Sequence, residues 1–141
     1  MLPKSAATPA GRLTALIAED EPLLRRQLKF RLAQAWPELV IVAEAENGAE
    51  AVALASEFRP DVAFLDIRMP VKDGLAVAEA IGDDCHIVFV TAYDEYAVTA
   101  FEQGAVDYLL KPVTPERIAK VVQRLQARVA SPPPDLAPSP K

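Results

Sequence analysis

The sequence predicts an α/β fold with a doubly wound parallel sheet, and three observations carry that expectation. Five short apolar runs, at residues 13–18, 40–45, 62–65, 87–90 and 108–110, are continuous rather than alternating in hydrophobicity. Strands covered on both faces read this way, whereas a strand with one wet face alternates. Segments of helical periodicity separate the runs and follow the last, as the crossovers between parallel strands require. The chain has 141 residues, 51% of them hydrophobic, with 25 alanines in that share. The larger apolar side chains that remain suffice for one core.

Each helix has its own signal. Residues 22–34 open on Pro22 in the first turn and place Leu24, Leu28 and Leu32 at i, i+4 and i+8. Asn47 is an N-cap for a helix that runs through Phe58 and stops before Pro60. Residues 75–81 form a short third helix. Residues 95–103 form a fourth, ended by Gly104 just past its C-terminus. Thr114 caps the last, with Pro115 in its first position and Ile118, Val121, Val122 and Leu125 on its apolar stripe to about Arg128. Five βα units with right-handed crossovers give a flavodoxin-like (βα)5 sheet in the order 2-1-3-4-5.

Composition excludes several functions. Fifteen Lys and Arg against twenty Asp and Glu give a net charge of −5, so this segment does not offer a basic coat for nucleic acid. One cysteine, Cys85, rules out an intramolecular disulfide, and with His86 as the one histidine a zinc site is disfavoured. A bound metal must be held by oxygen. No run approaches the ~18 apolar residues of a membrane span, and the first residues lack the apolar core of a secretory signal. The expected setting is the cytoplasm. Residues 1–11 read as a disordered tail, residues 12–130 as the one domain, and the Pro-rich residues 131–141 as a stiff linker or a frayed tail.

In an open parallel sheet, ligands bind beyond the carboxyl ends of the strands, near the switch point. Strand 1 ends in Glu19-Asp20-Glu21, strand 3 in Asp66, strand 4 in Thr91 and strand 5 in Lys111-Pro112. The order 2-1-3-4-5 brings Glu19, Asp20 and Asp66 into one cup, with Lys111 as the nearby cation. Like charges so placed need a partner. Mg²⁺ fits best, since it takes carboxylates, a carbonyl and waters. A carboxylate beside a divalent ion, a lysine and a hydroxyl suits phosphoryl transfer to Asp66. One acid at a strand end is usually only a solvated loop residue; four such ends together are far more specific.

The segments IAEDEP, FLDIRMPVKDG and VTAYDEYAVTAFEQGAVDYLLKPV resemble the receiver domain of bacterial two-component response regulators, over residues 12 to about 128. The D-x-x-M-P-x-x-x-G pattern falls on Asp66, Met69, Pro70 and Gly74, and the K-P pattern on Lys111-Pro112. The stretch after strand 4 resembles in particular the LytTR (LytR/AlgR-type) subgroup. The resemblance implies that Asp66 accepts a phosphoryl group from the phosphohistidine of a sensor histidine kinase. It implies Mg²⁺ bound by Asp20, Asp66 and the backbone carbonyl of Arg68, with Glu19 acting through a metal-bound water. Glu19 holds a place where the family often has Asp, which keeps the charge and leaves the geometry open. Thr91 and Lys111 would each meet a phosphoryl oxygen, and the Lys111–Pro112 bond would be cis. Arg68 and Tyr93, two residues after the acceptor and the threonine, would gate the approach of water. Tyr108 would be the aromatic that swings between outward and inward positions.

The resemblance also places the output on the fourth helix, fifth strand and fifth helix. Tyr96, Ala97, Ala100 and Phe101, with Arg117, Lys120 and Arg124 against Glu102 and Asp107, suit a self-complementary contact. Tyr93, Tyr96 and Phe101 read equally well as ordinary packing around the fourth helix. The expectation is homodimerisation on phosphorylation, with DNA reached through a C-terminal LytTR output domain that is not in this chain. Two alternative functions differ from this in specific residues. A Mg²⁺-dependent phosphatase or phosphotransferase of haloacid-dehalogenase type would carry a second Asp two residues after the nucleophile, where this chain has Arg68. A silent receiver-like scaffold would have lost the acids or the lysine. Cys85 and His86 read as structural, Trp36 as a core residue at the end of the first helix, and Gly11 and Gly48 as no part of a phosphate loop.

Overall fold

The computed structural model describes residues 12–130; the tails expected at 1–11 and 131–141 lie outside them. Five parallel strands, β1 (Thr14–Ala18), β2 (Val40–Ala45), β3 (Val62–Leu65), β4 (His86–Thr91) and β5 (Asp107–Leu110), form one sheet. Its order is β2-β1-β3-β4-β5, as the sequence predicts. The connecting helices are α1 (Pro22–Ala35), α2 (Gly48–Phe58), α3 (Gly74–Ile81), α4 (Ala97–Glu102) and α5 (Pro115–Ala130).

Alternate strand residues enter two cores, because successive side chains point to opposite faces. Leu16, Leu65 and Phe89 pack with Ala51 and Ala55 of α2 and Val77 of α3. The alanines let α2 lie close on the sheet. Ile17, Phe64, Val88 and Leu109 pack on the other face against Leu28 and Leu32 of α1, Trp36, and Ile118, Val121 and Leu125 of α5.

The caps behave as expected. Asn47 accepts from the Glu50 N–H at 2.8 Å, Thr114 Oγ1 from the Arg117 N–H at 3.2 Å, and Gly104 sits at φ 91°. The differences lie at element ends. Strands β4 and β5 extend into the polar residues His86, Thr91 and Asp107, because ladder bonds continue where apolar character stops. His86 N–H reaches the Asp61 carbonyl at 2.9 Å, and Lys111 N–H the Thr91 carbonyl at 2.9 Å. Helix α4 starts two residues later than expected. Tyr96 stays outside it at φ −100° and ψ 4°, and no side chain caps the start. Helix α3 gains Gly74 behind an Asp73 cap, and a 3-10 turn at Gly82–Asp84 follows it.

Candidate functional site

All five strands run the same way, so β1, β3, β4 and β5 deliver their last residues to one edge. Glu19, Asp20 and Asp66 meet there, each offering a carboxylate oxygen within 4.8 Å of the others. Glu19 and Asp66 are buried and Asp20 is exposed, so the cup opens on the Asp20 side. Lys111 comes from the end of β5, after which the Lys111–Pro112 peptide is cis. Its Nζ lies 2.5 Å from Glu19 Oε1 and 2.8 Å from Asp66 Oδ2.

The electrostatics follow from burial. Loss of solvent pushes the Glu19 carboxyl above its ordinary 4.5, against the pull of Lys111 and of the Glu21 N–H, with the Asp66 charge adding to the rise. Burial also works against the Lys111 ammonium, but its bonds to Asp66 and Glu19 prevail and lift it above 10.5. The lysine is therefore a fixed positive charge. One ammonium faces three carboxylates, and that excess of hard oxygen donors is the donor set a divalent cation takes. Thr91 is fully buried on the same edge, and its hydroxyl oxygen has no hydrogen-bond partner among the described residues. Leaving such a group unpaired costs about 1–3 kcal/mol, which an acceptor arriving at the cup would recover.

The chain matches the family model "Response regulator receiver domain" over residues 15–123. It belongs to the response-regulator receiver family. An uncharacterized response regulatory protein of Vibrio cholerae is 51% identical over 119 residues, covering 82% of this chain and 46% of that protein. The transcriptional regulatory protein BtsR of Escherichia coli is 43% identical over 116 residues, 81% of this chain and 48% of its own length. The chain thus spans about half the length of the curated relatives it matches. Among solved structures, the REC domain of AraT from Geobacillus stearothermophilus aligns at 36% identity and a TM-score of 0.77, covering 84% of this chain and 95% of that one. The response regulatory domain of protein mrkE from Klebsiella pneumoniae gives 34% and 0.77, with 82% and 97% covered. This is a signalling domain. No helix among its described residues is long and apolar enough to cross a membrane.

The receiver cup gathers Glu19, Asp20, Asp66 and Lys111, with buried Thr91 at the end of the adjoining strand. Arg68 is exposed, and its backbone N–H approaches Asp66 Oδ1 at 3.4 Å. Its guanidinium stacks on the Tyr93 ring, 4.6 Å from the centroid. Tyr108 is buried, with its ring centroid 6.3 Å from that of Phe89 and its hydroxyl donating to the Tyr93 carbonyl. Burial, joined by the charges of Asp94 and Glu95, pushes that hydroxyl above its ordinary 10.

The residues expected on the output face are split. Phe101 and Lys120 are exposed, and Tyr96 is half-buried with its hydroxyl accepting from Arg68 Nη1 at 3.3 Å. Ala100 is fully buried and cannot belong to a surface. Arg124 Nη1 already donates to Asp107 Oδ2 at 2.6 Å within the same chain. Sequence reasoning missed Arg25 of α1, whose guanidinium donates to the Glu19 carbonyl at 2.5 Å and to Glu44 at 3.2 Å, fixing the acidic turn. It also missed why two glycines stand beside the cup. A Cβ on Gly74 would lie 2.2 Å from the Asp66 carbonyl oxygen, and one on Gly48 1.8 Å from that of Lys72. The apolar cavity of about 680 Å³ between α1 and the β5–α5 turn was not anticipated either. Leu23, Leu24, Phe30 and Val113 line it, together with Glu19 and Lys111 of the cup.

Proposed function

We propose that Asp66 takes the phosphoryl group from the phosphohistidine of a sensor histidine kinase and that this switches an output through α4, β5 and α5. The observation that carries the reading is the Asp66 carboxylate, buried among two further acids with the Lys111 ammonium 2.8 Å away. In the transfer, an Asp66 oxygen forms a bond to phosphorus as the phosphorus–nitrogen bond breaks, and the imidazole leaves with its electron pair. Lys111 balances charge on one phosphoryl oxygen, and the Thr91 hydroxyl donates to another. Asp20, Asp66 and the Arg68 carbonyl would hold Mg²⁺, with Glu19 reaching it through water. The bound ion would neutralise the phosphoryl oxygens and hold them in line. The α1 cavity runs to the cup, and we assign it to the phosphodonor kinase on that continuity.

A phosphoryl group adds about −1.5 to −2 charges. Thr91 then moves toward it, and the space it leaves lets the already buried Tyr108 ring shift further inward, altering the face formed by α4, β5 and α5. The exposed apolar residues Val98, Phe101 and Leu110 lie on or beside α4 and β5, with Lys120 exposed on α5. This face suits a two-fold contact between copies. Because Arg124 is committed to Asp107, the contact rests on these apolar residues more than on charge. Phosphorylation-enhanced homodimers in the cytoplasm would then hold a pair of LytTR-type DNA-binding domains, consistent with relatives twice as long as the matched segment.

Incubation with a small phosphodonor and Mg²⁺ tests the reading. One acid-labile phosphoryl group should map to Asp66 and be missing from Asp66→Asn. Sedimentation of the beryllofluoride-treated domain should show a dimer that Phe101→Asp abolishes. Labelling that survives Asp66→Asn would overturn the acceptor, and a persistent monomer would overturn the face.

A further inference from the structure

All three tyrosines of the chain stand in one linked group near the cup: a single arginine contacts Tyr93 and Tyr96, and the Tyr93 carbonyl accepts from Tyr108. Arg68 lies on the β3–α3 loop, two residues after Asp66. Its guanidinium lies over the Tyr93 ring at 4.6 Å and also donates to the Tyr96 hydroxyl at 3.3 Å. A planar guanidinium can stack and donate at once; an ammonium cannot do both. Tyr93 and Tyr96 bracket the turn between β4 and α4, and Tyr96 immediately precedes the first residue of α4. That helix is six residues long and has no side-chain cap, so little within it fixes its start. The carbonyl of Tyr93 accepts the Tyr108 hydroxyl, the polar end of an otherwise buried ring. A buried tyrosine hydroxyl needs such an acceptor. The clamped turn therefore sets where Tyr108 can rest.

We infer that Arg68 is a positioning residue whose side chain clamps the β4–α4 turn so that the Tyr93 carbonyl holds Tyr108 buried, joining the Asp66 loop to the α4–β5 face. The clamp belongs to the resting protein. Its consequence for signalling rests on the phosphoacceptor role proposed above. Arg68 offers its own backbone N–H to Asp66 at 3.4 Å, so a change at the carboxylate acts on the residue that holds the turn. This is separate from shielding the phosphoryl group against water, since it acts before any phosphoryl group arrives.

The chain labelled with 3-fluorotyrosine gives three ¹⁹F resonances, one for each member of the cluster, assigned by single Tyr→Phe substitutions. In the unmodified protein the Tyr108 resonance should be shielded from a soluble paramagnetic agent. Arg68→Met should raise its paramagnetic relaxation several-fold and broaden or split the line. Arg68→Lys should fall between the two, and it serves as the informative variant if Arg68→Met does not fold. On a Tyr93→Leu background, which removes the stack but leaves the Tyr96 bond, Arg68→Met should add less than it does alone. A Tyr108 resonance that is unchanged in folded Arg68→Met and Arg68→Lys overturns the clamp, as does full additivity with Tyr93→Leu. Beryllofluoride with Mg²⁺ is then added, and its bound fluorides resonate apart from the tyrosines. Absence of that bound signal in the unsubstituted protein counts against the phosphoacceptor reading, while the clamp stands or falls on the spectra without it.

Discussion

Replacing Lys111 by Met tests the cup as a coupled set of charges. The ammonium lies 2.5 Å from Glu19 and 2.8 Å from Asp66, and the three side chains are only 14%, 5% and 8% exposed. Removing one partner of a buried ion pair costs about 3–5 kcal/mol, because the charge left behind has lost its solvent and its partner. The exposed Asp20 side admits water, which argues for the lower end, about 3 kcal/mol. With unfolding entropy near 2.1 cal/mol/K per residue, the roughly 120 ordered residues give about 0.25 kcal/mol/K, so Tm should fall by about 12 °C at pH 7.5. Two treatments should recover much of that loss. The Glu19 pKa is already raised by burial, and losing Lys111 removes two of the influences that lower it. A carboxyl whose folded pKa exceeds its unfolded value contributes stability that is present below about 4.5 and lost as pH rises through the folded value. The deficit should therefore shrink as pH falls from 8 toward 5. Millimolar Mg²⁺ should also shrink it, by binding the folded cup alone. Thermal melts of both proteins at three pH values, with and without Mg²⁺, decide the matter. A deficit indifferent to pH and to Mg²⁺ would mean that Lys111 acts by packing alone, and the charge argument would fail.

Asp20→Ala should abolish Mg²⁺ or Mn²⁺ binding by calorimetry, and unchanged affinity would sink the metal assignment. Arg68→Ala and Tyr93→Ala should each shorten the lifetime of the phosphorylated domain if the two stacked side chains, each two residues after a cup residue, gate the approach of water; slower hydrolysis would refute the gate. Gly74→Ala should cost about 1–3 kcal/mol, because its Cβ would press on the Asp66 carbonyl oxygen at 2.2 Å and the obstacle is backbone. An unchanged denaturation midpoint would show that the loop yields. Val71 sits at φ 75°, where a side chain costs about 1–2 kcal/mol. Val71→Gly should therefore raise stability by up to about 1 kcal/mol despite glycine's entropy, and a loss by the same assay would contradict the strain.

The layout of the sheet was legible because buried strands advertise themselves. The runs around Leu16, Phe64 and Val88 are fully buried, and their apolar character needs no partner to be read. Strand ends were not, since His86, Thr91 and Asp107 are held by ladder pairing and not by hydrophobicity. The late start of α4 escaped for a related reason: Tyr96 is kept out of the helix beside an arginine 28 residues away. The cup was legible because parallel strands deliver their last residues to one edge whatever the helices do. Arg25 was not, because its reach to the Glu19 carbonyl depends on how α1 is rotated on the sheet. The two glycines carry no signal but the absence of a side chain, and only the approach of the Lys72 and Asp66 carbonyls explains them.

The two flanks of the β3–α3 loop differ in how much they can give, and that difference argues for the direction in which a change at Asp66 travels. Toward α2 and α3 the loop is pinned. The Pro70 carbonyl accepts from the Gly48 N–H at 3.2 Å and the Ile67 carbonyl from the Gly74 N–H at 2.8 Å, and neither glycine has room for a methyl group. Close-packed backbone of this kind transmits strain and does not absorb it. On the α4 side the Thr91 hydroxyl lacks a partner, α4 is short and uncapped, and the turn before it is held by the exposed Arg68 stack. Stacking of this sort at an exposed site is worth about 0.5–1 kcal/mol, within reach of the charge that phosphorylation adds. Movement toward α2 would break backbone contacts with nothing to replace them. Movement of Thr91 toward the phosphoryl group would satisfy an orphaned hydroxyl. Under the proposed phosphorylation of Asp66, the cheaper path would therefore lead to α4 and β5, through Arg68 and Tyr108.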